Sequence, residues 1–284
     1  MDNKKYLLGQ YEKSMPNTCT WEEKLLLCKE LGFDWLEMSV DETDDKLARL
    51  DWNDSEVDSL RNLMTKTGVP IYTMCLSGHR KYPLGSLDDE TIKKSLDIME
   101  KAVNLASRLG IRIIQLAGYD VYYSKGNDET KKRFVKNLAL ATEMASKKGV
   151  LLGFETMETS FMDTVEKSME YVNLINSPYL HIYPDMGNLT NASLLYNCDV
   201  IEDIKKGEGH LIAAHLKETI PGHYREIEFG TGHTDFINVI QCCKELGVRM
   251  FVGEFWYVGQ DNWEQDCINA NKFLREKLDR VFND

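Results

Sequence analysis

Four side chains that ionise or coordinate stand at the ends of four successive apolar runs. Glu155 closes Gly153-Phe154-Glu155, Asp185 closes Tyr183-Pro184-Asp185, His215 closes Ala214-His215, and Glu254 closes Gly253-Glu254. Each has a plain explanation alone. A glutamate at the end of a run is ordinarily solvated or paired with a lysine, and a histidine in an apolar context can be a satisfied core residue. Together those explanations weaken, because neighbouring strands would crowd three negative charges into one dry pocket. That is costly unless a cation compensates. The set therefore points to one divalent metal ion, Mn²⁺, Mg²⁺, Co²⁺ or Zn²⁺. Glu155 and Glu254, on runs separated by two others, invite a second, catalytic role. Two acid/base groups on opposite faces of one carbon are what an epimerase needs, one removing a proton and the other returning it. The ion would stabilise the enediolate between the two steps.

Other polar groups close the earlier runs. Ser77-Gly78-His79-Arg80-Lys81 brings three cationic or titratable groups together, as a solvated turn or as a phosphate clamp that uses the guanidinium fork. Lys217 follows His215 by two and so shares its strand face. Tyr11, Glu12 and Lys13 follow the first run, and Glu37 in the second is the candidate for an outer substrate hydroxyl. Tyr119, Tyr122 and Tyr123 read as packing, and Trp256 as a pocket wall.

The elements that must position these groups are legible. Short apolar runs near Tyr6–Gln10, Trp35–Met38, Pro70–Leu76, Arg112–Leu116, Leu151–Glu155, Leu180–Pro184, Leu211–Leu216 and Met250–Phe255 read as parallel strands covered on both faces. Glycine follows a helical segment at Gly32, Gly68, Gly110, Gly149 and Gly247, where the left-handed conformation closes a helix without a Cβ clash. Thr20 to Glu23 and Asn53 to Glu56 are capping boxes. Apolar stripes run through Ile92, Leu96, Met99, Val103 and Ala106, through Phe134, Leu138, Ala141 and Ala145, and through Phe236, Ile240 and Cys243. The expected sixth helix, within Asn188–Gly209, is short. Eight strands alternating with eight helices predict an α/β fold, a (β/α)8 TIM barrel occupying residues 1–284 as one catalytic domain, with the chemistry at the carboxyl ends of its strands.

The net charge of −12 over 284 residues, with no basic stripe, argues against a nucleic-acid partner. No apolar run reaches the roughly 20 residues of a membrane span, and Met1-Asp2-Asn3-Lys4-Lys5 leads into no signal-peptide pattern, so no membrane and a cytoplasmic location are expected. Seven scattered cysteines without a C-x-x-C predict free thiols rather than disulfides or a zinc site.

The strings Tyr11-Glu12-Lys13, Glu37 to Asp45, Leu50 to Trp52, Met74 to Ser77, Pro83 to Ser86, Gln115 to Tyr123 and Tyr183 to Asn188 carry a resemblance over about Tyr6 to Lys277. The chain resembles the L-ribulose-5-phosphate 3-epimerases of bacterial L-ascorbate catabolism, also called L-xylulose-5-phosphate 3-epimerases, within the xylose-isomerase-like superfamily. The resemblance implies interconversion of L-xylulose 5-phosphate and L-ribulose 5-phosphate at C3, and a homodimer or tetramer. It also implies Glu155, Asp185, His215 and Glu254 as metal ligands, Glu155 and Glu254 as the acid/base pair, and Glu158 as a substrate-binding residue. Free-sugar epimerases of the wider group have histidine where this chain has Asn188, and arginine where it has Pro221. A phosphosugar enzyme would use other groups, with Arg80, Lys81, Lys217 and Arg225 the candidates, and His79 and Asn188 are expected to bind substrate as well. A 1,2 aldose–ketose isomerase would use the same chemistry on the adjacent carbon. An apurinic endonuclease on the same barrel would need more histidines than six and a basic face. A non-catalytic sugar-binding protein would not require two opposed bases.

Overall fold

The computed structural model describes residues 4–283. Its eight strands are β1 (Leu7–Tyr11), β2 (Trp35–Val40), β3 (Ile71–Leu76), β4 (Ile113–Ala117), β5 (Leu151–Glu155), β6 (Leu180–Ile182), β7 (Ala214–Leu216) and β8 (Met250–Gly253). All pair in parallel in the order β6-β5-β4-β3-β2-β1-β8-β7. Parallel bridges between Ile182 and Leu211 and between Asp185 and His215 join β6 to β7, which closes the sheet into the expected barrel. All eight sequence-derived strands are present, with β6, β7 and β8 each at least two residues shorter than expected.

Among the described residues ten α-helices surround the sheet: α1 (Trp21–Glu30), α2 (Asp44–Ala48), α3 (Asp54–Thr67), α4 (Asp89–Leu109), α5 (Asp128–Lys148), α6 (Val165–Ile175), α7 (Met186–Tyr196), α8 (Val200–Lys205), α9 (Phe236–Glu245) and α10 (Trp263–Asn283). Both predicted capping boxes form, on α1 and α3. Gly68, Gly110 and Gly149 close α3, α4 and α5 in the left-handed conformation. The short sixth helix proves to be two helices, α7 and α8. Asn176 and Asn197, at φ 48° and 50°, end α6 and α7, so asparagine continues the glycine rhythm where it seemed to lapse.

Two apolar layers hold the barrel. One lies between strands and helices and includes Leu36, Met38, Leu152, Phe154, Leu216 and Phe251. The predicted stripes on α5 and α9 face it, and on α4 Met99, Val103 and Ala106 do so as expected, while Ile92 and Leu96 lie at the margin and Ser95, Ile98 and Ala102 are buried as well. The other layer fills the barrel's interior with Trp35, Ile113, Tyr183, Ala213 and Val252. Trp35 packs flat on Gly9, where a Cβ would stand 2.5 Å from the indole ring, so only glycine lets this plug sit beneath the site. The seven cysteines are free. Among the described residues no helix is long and apolar enough to cross a membrane.

Candidate active site

The chain leaves β5, β6, β7 and β8 at one end of the barrel, and there Glu155, Asp185, His215 and Glu254 converge. One donor atom from each lies within 4.8 Å of every other, and all four residues are buried. Asp185 is also the N-cap of α7. Its Oδ1 accepts the Asn188 amide at 2.7 Å, which fixes the carboxylate and turns Oδ2 toward the cluster.

His215 is held by a buried polar group behind it. Its Nε2 lies 2.7 Å from Glu37 Oε1, and Glu37 Oε2 accepts hydrogen bonds from the hydroxyls of Thr73 and Tyr183. With Nε2 donating to Glu37, the lone pair of Nδ1 faces Glu254 Oε2 at 3.3 Å and Asp185 Oδ2 at 3.9 Å. Glu37 thus lies beneath the imidazole with no exposed surface, and not beside a substrate hydroxyl as its place at a strand end suggested.

Asp185 Oδ2 and Glu254 Oε2 are buried and accept no directed hydrogen bond. The ammonium of Lys217 stands 3.0 Å from the first and 3.4 Å from the second. Burial pushes the Glu155 carboxyl up, with the Glu254 charge adding to it. Burial raises Asp185 too, although Lys217 pulls the other way. Glu254 is held well below the ordinary carboxylate range: burial alone would raise it, but Lys217 and His215 prevail. Three oxygen donors and one imidazole, two of the oxygens lacking hydrogen bonds, form a set that could hold a divalent cation, whose charge would offset such crowded carboxylates.

Above this floor is a cleft whose wall includes Tyr11, Cys75, Ala117, Met157 and Trp256. Of the sequence candidates, Glu158, Asn188, Lys217, Arg80 and Arg225 line it. Asn188 donates to the carbonyl of Thr156 at 2.8 Å, and its side-chain oxygen is left without a partner. At the mouth, Glu158 Oε1 accepts from Tyr122 and from Arg225, each at 3.1 Å. The guanidinium of Arg80 stacks 4.8 Å from the Tyr122 ring, and its buried Nε has no acceptor.

His79 does not join them. Its ring turns outward to the Ser95 carbonyl of α4 at 3.1 Å, and burial pulls its pKa down to about 4, which keeps it neutral and useless as a phosphate clamp. Lys81 lies over the Tyr82 ring, away from the cleft. Sequence reasoning passed over Met157, Tyr224 and Gln115. Gln115 was detectable: it is a lone amide within the apolar strand β4, and its Nε2 lies 3.2 Å from His215 Nδ1.

Residues 25–277 match the xylose isomerase-like TIM barrel family, and the chain belongs to it. Within that class it is 44% identical over 279 residues to L-ribulose-5-phosphate 3-epimerase UlaE of Escherichia coli, covering 98% of this chain and 97% of that protein. It is 40% identical, with the same coverage, to the enzyme of that name in Shigella sonnei. Among solved structures, a D-tagatose 3-epimerase-like protein superposes with a TM-score of 0.80 at 19% identity, covering 97% of this chain and 98% of that one. The D-allulose 3-epimerase of Methylomonas sp. in complex with D-allulose superposes with a TM-score of 0.79 at 14% identity, covering 96% and 98%. At these identities the superpositions establish the fold alone.

Proposed function

We propose that this chain, acting over its whole length as one catalytic domain, is a divalent-metal-dependent isomerase of the epimerase class. It interconverts L-xylulose 5-phosphate and L-ribulose 5-phosphate through an enediolate. The observation that carries this reading is the buried Glu155, Asp185, His215 and Glu254 cluster, in a chain 44% identical to proteins named for that activity. A divalent cation held by these four residues would supply Lewis-acid stabilisation of the charge that develops as the C3 proton leaves. Glu155 and Glu254 stand at the two ends of the four-strand arc, so a C3 carbon between them meets one carboxylate on each face. One takes the proton, the other, protonated, delivers one to the opposite face, and reversing the reaction exchanges their roles. Lys217 donates to the substrate's carbonyl oxygen, the unpartnered oxygen of Asn188 accepts from a substrate hydroxyl, and Ala117, Met157 and Trp256 cover the apolar part of a largely polar cleft.

Arg80 and Arg225, at the mouth, hold the phosphate. Their guanidinium forks suit its oxygens, and Arg80 has an Nε–H to spare. Arg80→Ala is expected to raise KM for the phosphosugar at least ~10-fold and to leave KM for the free ketose nearly unchanged, in steady-state assays of both. Equal effects on the two substrates would remove Arg80 from the phosphate site.

Glu37 sets the imidazole's orientation, so Glu37→Gln is expected to weaken Mn²⁺ binding about 10- to 100-fold by calorimetric titration. Unchanged affinity would reduce Glu37 to a packing role.

The activity itself is tested by incubating the metal-loaded protein with L-xylulose 5-phosphate in D₂O and following C1, C3 and product by NMR. Deuterium at C3 with formation of L-ribulose 5-phosphate is the expected result. Exchange at C1 with an aldose product would make the chain a 1,2-isomerase. No exchange at either carbon, with metal bound, would overturn the reading.

A further inference from the structure

Arg225 belongs to no regular element. It sits midway along the segment between β7, which ends at Leu216, and α9, which begins at Phe236. A segment of that length needs an internal device to present one side chain reproducibly, and Glu218 at its base supplies one. Glu218 is buried, and its carboxylate faces backbone amides. Its Oε1 accepts from the amides of Thr219 at 3.1 Å and Thr234 at 3.0 Å, and its Oε2 from Gly230 at 2.9 Å. One side chain thereby binds the segment's first residue to its last turn.

The backbone of Gly232 closes over the carboxylate so tightly that a Cβ there would stand 2.4 Å from Glu218 Oε1. The Thr234 hydroxyl returns to the Lys217 carbonyl at 3.1 Å, and the His233 amide to the Thr219 carbonyl at 2.9 Å. Further out, Asn191 on α7 holds the tip, accepting from the Gly222 amide at 2.9 Å and donating to the His223 carbonyl at 3.3 Å. Between the two fastenings, Tyr224 and Arg225 reach the cleft, where Arg225 meets Glu158.

We propose that Glu218 is a positioning residue for the phosphate end of the substrate: it ties residues 219–234 into a closed loop whose outer part carries Arg225 to the mouth of the cleft. The inference rests on the phosphate reading of Arg225 given above. Glu218 is not a catalytic residue, since it reaches neither the four-residue cluster nor the cleft. A glutamine there keeps the shape but replaces one accepting oxygen by an NH₂ group, which would oppose an amide donor of the loop.

The test compares Glu218→Gln, Arg225→Ala and the double variant in the metal-loaded enzyme. Glu218→Gln is expected to raise KM for L-xylulose 5-phosphate about 10-fold, with kcat changed less than about 3-fold. The double variant is expected to be little worse than Arg225→Ala alone, because both act on one contact. Hydrogen–deuterium exchange, which needs no substrate, should show faster exchange at residues 219–234 in Glu218→Gln and no change at β5 or β8. A fall in kcat with KM unchanged, or fully additive KM effects, would overturn the proposal. If Glu218→Gln does not fold, Asn191→Ala, which frees the other fastening, must show the same KM-selective loss, and its absence would also overturn it. If the parent enzyme turns over no phosphosugar, the proposed activity falls instead, and the exchange measurement still decides whether Glu218 ties the loop.

Discussion

Glu254→Gln and Glu155→Gln are each expected to lower turnover of L-xylulose 5-phosphate on the order of 10³-fold or more. Glutamine preserves the shape of the side chain but can neither take a proton from C3 nor return one, and it removes a negative charge from the cation-binding set. The two losses are separable. Supplying excess Mn²⁺ restores whatever was lost through weaker metal binding and leaves the acid/base deficit in place. The D₂O experiment then distinguishes the partners: a variant lacking only the returning acid still exchanges the C3 proton of one epimer while forming little product. Near-normal turnover in either variant, with metal saturating, would rule out a mechanism with two opposed carboxylates. Equal loss of exchange and of product in both would leave the metal-binding role as their shared function.

Glu12→Gln is expected to cost about 3–5 kcal/mol of folding stability, the cost of removing one partner from a buried ion cluster. The Glu12 carboxylate has no exposed surface. It faces Lys24 and Lys46, each at 2.7 Å, and Arg49 at 2.6 Å, and it accepts the backbone amide of Ser39 at 2.8 Å. Burial alone would raise its pKa, but Arg49, Lys46 and Lys24 hold it well below the usual carboxylate range. Lys46 also moves down, to about 8. Burial and the neighbouring cations outweigh its share of a carboxylate divided among three partners.

The sign of the pH dependence follows from Glu12. Its pKa is lower folded than unfolded, so the stability it contributes is complete above the unfolded value of about 4.3 and is lost as pH falls through the range below. Urea unfolding at pH 7 and at pH 3.5 measures both effects. The variant should be less stable at pH 7, and the difference from the parent should shrink at pH 3.5. A loss under about 1 kcal/mol at pH 7 would mean that the three cations find solvent once the carboxylate is gone. Tyr11 and Lys13 flank Glu12 and both line the cleft, so this cluster also fixes one wall of the site.

The sequence by itself determined the barrel and the floor of the site. Alternation of short apolar runs with capped amphipathic helices has few solutions other than a closed parallel sheet, and such a sheet gathers its strand ends on one rim. Glu155, Asp185, His215 and Glu254 were legible for that reason: each lies in or within three residues of the carboxyl end of a strand, and position along a strand survives in one dimension. The caps were legible where glycine wrote them and missed at Asn176 and Asn197, because asparagine takes the left-handed conformation without announcing it in composition.

Only the tertiary structure decided what the remaining polar residues face. Glu37 ends up behind His215, His79 turns to the carbonyl of Ser95, and Glu12 meets cations from α1, α2 and the turn after α2. The partners lie from 12 to 178 residues away, and which face of a loop or strand each presents depends on how the helices pack. The same holds for residues 218–234, where nothing in the sequence singles out Glu218. Its burial against three amides comes from a closure between residues 12 and 16 apart, set by backbone geometry that no local pattern records.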